Sequence, residues 1–418
     1  MLSPELTCVN SGAEHLFALA GTVRALMTSM PPLLYLLALG NLVVGSSAFV
    51  TSGLVALIAE GLGTSITAAG LAMTFYALAT AVFAPMLVVA TGRWPRKRAL
   101  LVSLALFTVG NAICALSMSI GQLYAGRFLM GVGSMFTPVG AGLALALVAP
   151  ERRGKALSTV FLGMSLSYVI GVPLGAWMGL NNGWQSALWV MTGASAVMLV
   201  LAAWKLPAHV QAPGASFVGL GAVLKRFDVL SILITTLLYF TAIFTVFSYI
   251  GPVLQALVPG TATRLSGTLM IFGLAGVAGT VLGGLAADRF GARPTMQVLL
   301  GSLAAMMLAL PLTAGHYGVM MVVMVVWGCS GFGLMAPQQS RLAHLAPAQA
   351  PLLLSLNSSM LYFGTALGAA VGGPMSGQVG FAHLPWVAAP FAIGAWLLLA
   401  ISGRRRGTGL ASAGTAPR

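Results

Sequence analysis

The stretch Leu123-Tyr-Ala-Gly-Arg127-Phe-Leu-Met-Gly131-Val-Gly133 places one guanidinium inside an apolar run that continues to Val148. A charged side chain at a bilayer centre costs roughly 2.5–3.5 kcal/mol on insertion scales, and those retained there characteristically serve a water-filled path. The surroundings make lipid the relevant solvent. Of 418 residues, 58% are hydrophobic and 6% charged, with a mean hydropathy of +0.97. A water-soluble chain needs about a quarter of its residues charged. A cation embedded in such a chain points to transport across a membrane.

Outward from Arg127, twelve runs reach the roughly 20 apolar residues needed to cross the hydrocarbon. They cover residues 33–58, 68–91, 99–119, 122–149, 156–180, 186–206, 228–258, 265–287, 295–314, 317–343, 351–377 and 384–402. Basic residues collect in alternate gaps: Arg93, Arg96, Lys97 and Arg98; Arg152, Arg153 and Lys155; Lys205, Lys225 and Arg226; Arg289 and Arg293; Arg341; and Arg404 to Arg406 in the tail. The other gaps hold Arg264 as their single basic residue. The excess of Lys and Arg marks the cytoplasmic side, so both termini are expected there. The same logic explains the net charge of +14 without nucleic acid, since no basic run lies in a segment able to fold in water.

The expected organisation is an all-α integral membrane protein of two pseudo-symmetric six-helix bundles. An N-terminal lead (1–32) precedes a first bundle (33–206), a cytoplasmic linker (207–227), a second bundle (228–403) and a cytoplasmic tail (404–418). The lead reads poorly as a signal peptide, because Glu5 and Glu14 come early and no small-residue cleavage pattern precedes Pro31-Pro32. It is expected to be a disordered or amphipathic lead, or untranslated upstream of Met27 or Met30. Internal repetition supports two halves: Arg93 and Arg289 lie 289 − 93 = 196 apart, and Gly171/Gly175 and Gly368/Gly372 lie 197 apart. Parallel repeats of this kind are one of the repeat designs of secondary transporters. Cys8, Cys114 and Cys329 are odd in number and not in metal spacing, so neither a disulfide, a metal nor a cofactor is expected.

Three motifs carry more specific expectations. Gly284-Leu-Ala-Ala-Asp288-Arg289-Phe-Gly291-Ala-Arg293 follows the eighth run, and Val88-Val-Ala-Thr-Gly92-Arg93-Trp-Pro-Arg96 follows the second. Asp288 ends a helix, where the dipole disfavours an anion, so it calls for a cationic partner or a neighbouring helix N-terminus. Such a contact would latch one conformation; the alternative is a topological marker. Gly163 through Gly179, centred on Gly171-Val-Pro173-Leu-Gly175, combines glycines that permit close helix approach with a proline that bends the span.

The loop segment at Asp288 resembles the signature of the major facilitator superfamily, and its first copy is degenerate, with Gly92 at the usual aspartate position. The stretch around Arg127 is similar to the superfamily's fourth-helix motif, in which the arginine takes part in coupling or substrate contact. The glycine-proline segment resembles the fifth-helix motif of its drug:proton antiporter branch. Residues 33–402 as a whole, with Ser248-Tyr249-Ile-Gly-Pro252, Pro150-Glu-Arg-Arg-Gly154 and Leu356-Asn357, look like arabinose-efflux-like and drug-export members. The resemblance implies a non-enzymatic secondary transporter of the bacterial inner membrane, monomeric, exporting a drug, sugar or metabolite in exchange for protons.

One departure bears on coupling. Many relatives carry a glutamate in the first span, where Gly45-Ser-Ser-Ala48-Phe49 has alanine, and none of the six acids lies well inside a span. A solute exchanger, uptake permease or facilitator therefore stands as the alternative. Polar residues able to line the path, besides Arg127, are Asn41, Tyr168, Tyr249 and Asn357, with Ser47, Thr51, Tyr239, Thr245 and Tyr362 behind them. Their bland role is interhelical hydrogen bonding. A membrane enzyme would want clustered acids or histidines inside the spans, and a sensor a soluble output domain; the sequence offers neither.

Overall fold

The computed structural model describes residues 31–149, 152–208, 210, 225–345 and 350–413. Most of the expected linker and lead, together with Pro150 and Glu151, lie outside these. Among the described residues, 12 helices are long and apolar enough to cross a membrane. They are α1 Pro32–Gly61, α2 Ile66–Ala90, α3 Arg96–Ala115, α4 Ile120–Ala146, α5 Arg153–Asn182, α6 Trp184–Lys205, α7 Phe227–Phe247, α8 Ala262–Phe290, α9 Ala292–Thr313, α10 Tyr317–Leu342, α11 Leu352–Val379 and α12 Phe381–Ser402. Their ends follow local chemistry. Ser65, Ser119 and Thr261 accept backbone N–H groups in the first turns of α2, α4 and α8. Gly183 and Gly291, at φ 84° and 90°, make the sharp turns into α6 and α9.

Four spans are interrupted, each about one turn before a proline. α4 breaks at Ser134 before Pro138, and α10 breaks at Leu334 before Pro337. α5 carries a π turn, Ser167–Gly171, before Pro173. The seventh run, expected unbroken over 228–258, ends α7 at Phe247 and resumes as a short helix, Ile250–Leu257, with Pro252 in its first turn. Proline lacks the N–H that would return to the carbonyl four residues back, so the helix loosens at that carbonyl. The unbroken reading counted hydropathy and missed this constraint.

Helix pairing repeats from one half to the other. In the first half α1 packs on α5 and α6, α2 on α4, and α3 on α4 and α6. In the second, α7 packs on α11 and α12, α8 on α10, and α9 on α10 and α12. The halves meet where α2 lies on α11, α5 on α8, and the short helix after α7 on α1. The end carrying the basic loops is called here the basic end, and the opposite one the far end.

Lipid tails are as apolar as leucine, so these helices associate through close packing and a few hydrogen bonds. At Gly163 the approach is backbone to backbone: a Cβ there would overlap the Ala38 carbonyl oxygen of α1. Gly163→Ala should therefore lower thermal stability in detergent by about 1–3 kcal/mol, the range for overpacked sites. Gly142→Ala, where nothing lies within 4 Å, should be neutral. Equal melting of both variants would contradict this account of the α1–α5 contact.

Candidate functional site

Arg127 is fully buried, at 0% exposure, rather than reaching to the membrane surface. One terminal nitrogen donates to the Ser47 and Ala48 carbonyls at 3.2 and 3.0 Å. The other donates to the Thr51 hydroxyl. The guanidinium thus bridges α4 to α1, with Tyr76 of α2 and Cys114 of α3 close enough to feel its charge. Its Nε, and the Ser47 and Ser52 hydroxyls, have no hydrogen-bond partner among the described residues. No described acid neutralises it; the ion pair among described residues is Arg226–Asp228, at 2.8 Å. A buried cation held by carbonyl dipoles and bordered by unsatisfied donors and acceptors makes an electropositive polar cluster inside the first half.

Beside it the two halves meet through aromatic rings. Phe49 of α1 stacks on Tyr168 of α5 at 5.0 Å and faces Phe244 and Phe247 of α7 at 5.8 and 6.4 Å. Tyr168 stands edge-on to Phe332 of α10 at 4.8 Å. Phe272 of α8 completes the cluster, 5.7 Å from Phe247 and 6.0 Å from Phe332. Tyr76 of α2 meets Tyr362 of α11 edge-on at 6.4 Å. Tyr168 sits on the π turn of α5, a feature frequent at functional sites because it re-aims side chains.

The remaining expected residues divide. Asn41 is buried, with its amide donating to the Val160 carbonyl of α5 at 3.0 Å and accepting from Thr137 of α4 at 2.7 Å. Asn357 of α11 accepts from Thr236 of α7 at 2.6 Å, and Gln338 of α10 donates to Thr236 at 2.8 Å. The two clusters are repeat counterparts: 357 − 160 = 197, and each ties the first, fourth and fifth helices of its half. Tyr249 is fully buried at the far end, donating to the Ala369 carbonyl at 2.9 Å. Gly171 and Gly175 seat α5 on Ser46 and Val50 of α1, and the Pro173 carbonyl accepts from Ser266 of α8, across the halves, at 2.7 Å.

In the loop motifs, Arg93, Asp288 and Arg289 are exposed, and Asp288 forms no ion pair among the described residues. The expected partner of Asp288 is therefore not seen in this conformation. Arg293 instead donates to the Leu399 and Ala400 carbonyls, both at 3.0 Å, and pins the end of α12. Sequence reasoning passed over Tyr76, Gln338, Thr236 and the phenylalanines, because apolar or uncharged residues in a membrane span carry no sign of which face they occupy. The Pro337-Gln-Gln339 step in an apolar run was a usable signal for Gln338.

The comparisons agree with this geometry. The family model of the Major Facilitator Superfamily matches residues 37–351. The inner membrane transport protein YdhP of Escherichia coli K12 is 33% identical over 372 residues, covering 88% of this chain and 95% of that protein. A chloramphenicol efflux pump of Mycobacterium tuberculosis is 33% identical over 267 residues, 63% of this chain and 65% of that protein. A probable sugar efflux transporter of Mannheimia succiniciproducens is 26% identical over 357 residues, 84% of this chain and 89% of that protein. In fold, the crystal structure of the human organic anion transporter MFSD10 is similar with a TM-score of 0.65 at 15% identity, covering 88% of this chain and 100% of that one. Twelve spans in two repeated halves, an arginine buried in the fourth helix and these matches lead to one conclusion: this chain belongs to the Major Facilitator Superfamily and is a multi-pass membrane transporter, not an enzyme.

Proposed function

We propose that this transporter exports a small organic solute, neutral or anionic and with an apolar face, by alternating access of a midplane site between the halves. The ring cluster of Phe49, Tyr168, Phe244, Phe247, Phe272 and Phe332 carries the reading. Its rings come from both halves, so rocking one half against the other breaks and remakes it, and a solute lying among them touches both. Arg127 sets the sign of charge: an uncompensated buried cation beside the path repels a cationic solute in a low-dielectric interior. The names of the relatives, efflux proteins among them, support export. The positive-inside rule supports the basic end and both termini facing the cytoplasm of a bacterial inner membrane, and the carrier is taken to work as a monomer.

Proton exchange is the proposed driving force. One observation favours a second reading, solute exchange or facilitated diffusion without proton movement. Glu60 is exposed at the far end of α1, Asp228 is paired with Arg226, and Asp288 is exposed near the basic end of α8. None of these described acids lies buried at mid-span, where desolvation brings a carboxylate toward neutral titration. Under the first reading the proton travels by Glu60 or by water beside Arg127.

Counterflow in proteoliposomes, with isosteric neutral, anionic and cationic aromatic solutes, tests both. The neutral or anionic member should exchange about tenfold faster than the cation, a difference of about 1.4 kcal/mol; preference for the cation would reject the role given to Arg127. An imposed pH gradient should drive accumulation under the first reading and leave it unchanged under the second. Arg127→Lys should reduce flux about tenfold or more, because a point charge cannot hold the three acceptors that the planar fork holds. Asn41→Ala should lower thermal stability by about 1 kcal/mol, the scale of interhelical hydrogen bonds in lipid, with KM unchanged. A raised KM at unchanged stability would make Asn41 a binding residue instead.

A further inference from the structure

We infer that Tyr249 is the wedge that seals the far end of the transport path, and that the bare backbone of Gly70 is the seat it closes on. This rests on the alternating-access reading and extends it to one named joint. Tyr249 occupies the break between α7 and the short helix Ile250–Leu257, with φ −121° and ψ 25°, outside both helices. There its side chain leaves the α7 surface and crosses between the halves. The ring is fully buried. Its hydroxyl is anchored to the Ala369 carbonyl of α11, so the wedge travels with the second half.

The seat belongs to the first half. A Cβ at Gly70 of α2 would overlap the Tyr249 ring at Cε1, Cζ and the hydroxyl. At the tip of the ring, a Cβ at Gly373 of α11 would stand 2.6 Å from the same hydroxyl and 2.8 Å from Thr67 Cγ2 of α2. Around this joint the seam is stitched by neutral hydrogen bonds: Thr67 to the Gly373 carbonyl at 3.0 Å and Thr74 to the Ala366 carbonyl at 3.2 Å. Just beyond the wedge, the short helix comes so near α1 that a Cβ at Gly251 would lie 2.7 Å from the Gly53 carbonyl oxygen. The joint is therefore closed by a ring lying against backbone, and among the described residues no ion pair reinforces it.

The shape dictates the consequence. When the far end opens, the ring lifts off α2, and a methyl group at position 70 costs nothing. When the far end closes, the methyl and the ring claim the same space. Gly70→Ala thus acts on one conformation and displaces the equilibrium toward the state open at the far end. Tyr249 was a candidate for substrate contact in the sequence; its burial and its anchor make it a positioning residue for the cycle.

The test is side-specific labelling of a Thr74→Cys reporter, one turn deeper along α2, in the full chain with Cys8, Cys114 and Cys329 replaced by serine or alanine. An impermeant maleimide is applied to each face of reconstituted vesicles in turn. Gly70→Ala should raise the labelling rate from the far-end face about tenfold, the scale of a shift from mostly closed to mostly open. Gly121→Ala, in open space, should leave it unchanged. With Tyr249→Ala in the background, adding Gly70→Ala should produce no further increase, since the clashing ring is gone. Gly373→Ala, pressing on Thr67, should reproduce the increase if Gly70→Ala fails to fold. Unchanged far-end labelling in folded Gly70→Ala, or an equal increase with the Tyr249 ring absent, overturns the assignment. The readout needs no solute, so an error in substrate class, coupling or direction leaves it standing, whereas an error about the gate does not.

Discussion

Hydrocarbon offers no partner to a peptide N–H or C=O, and this constraint shapes every level of the molecule. Each crossing must satisfy its backbone internally, so the described chain is helical along every span except at a few interruptions. Where the ladder is broken, the loss must be absorbed inside the protein. The four interruptions before Pro138, Pro173, Pro252 and Pro337 obey this. The one in α5 is absorbed by a π turn, in which the Val172 N–H returns to the Ser167 carbonyl. The breaks are also where the side chains proposed to act in transport emerge: Tyr168 from one, Tyr249 from another.

Because lipid gives little push toward association, the halves are held differently inside than between. Glycines admit backbone to backbone both inside a half, at Gly163, and across the seam, at Gly251, whereas a polar side-chain cluster tying three helices lies inside each half, Asn41 with Val160 and Thr137 in one and Thr236 with Asn357 and Gln338 in the other. Among the described residues, the hydrogen bonds and ring contacts that join the halves run from the midplane to the far end. They are neutral and individually weak. A seam that must part and re-form in each transport cycle is better served by several such contacts than by a buried ion pair, whose separation would strand two charges.

Arg127 stands apart from this economy of charge. It is fixed by the dipoles of α1 rather than by a carboxylate. The positive charge is consequently available to the path as a field. That field, with the ring cluster beside it, is what distinguishes the proposed substrate class from a cation.

The sequence by itself determined the solvent, the number of crossings and, apart from the end of the seventh, their ends within a few residues, because hydropathy and charge are one-dimensional properties counted along the chain. It also determined the two-half repeat and singled out Arg127, since an embedded cation is conspicuous in an apolar run. What only the tertiary structure decided is the facing of uncharged residues. The partners of Asn41 and Asn357 on other helices could not be read along the chain. Tyr76 and the phenylalanines gave no sign of meeting where the halves touch, and nothing along the chain connected Gly70 with Tyr249, 179 residues apart by 249 − 70. A rotation of about 100° per residue separates lipid-facing from path-facing positions, and in a helix apolar on all sides the sequence leaves that rotation unspecified; the neighbouring helices set it.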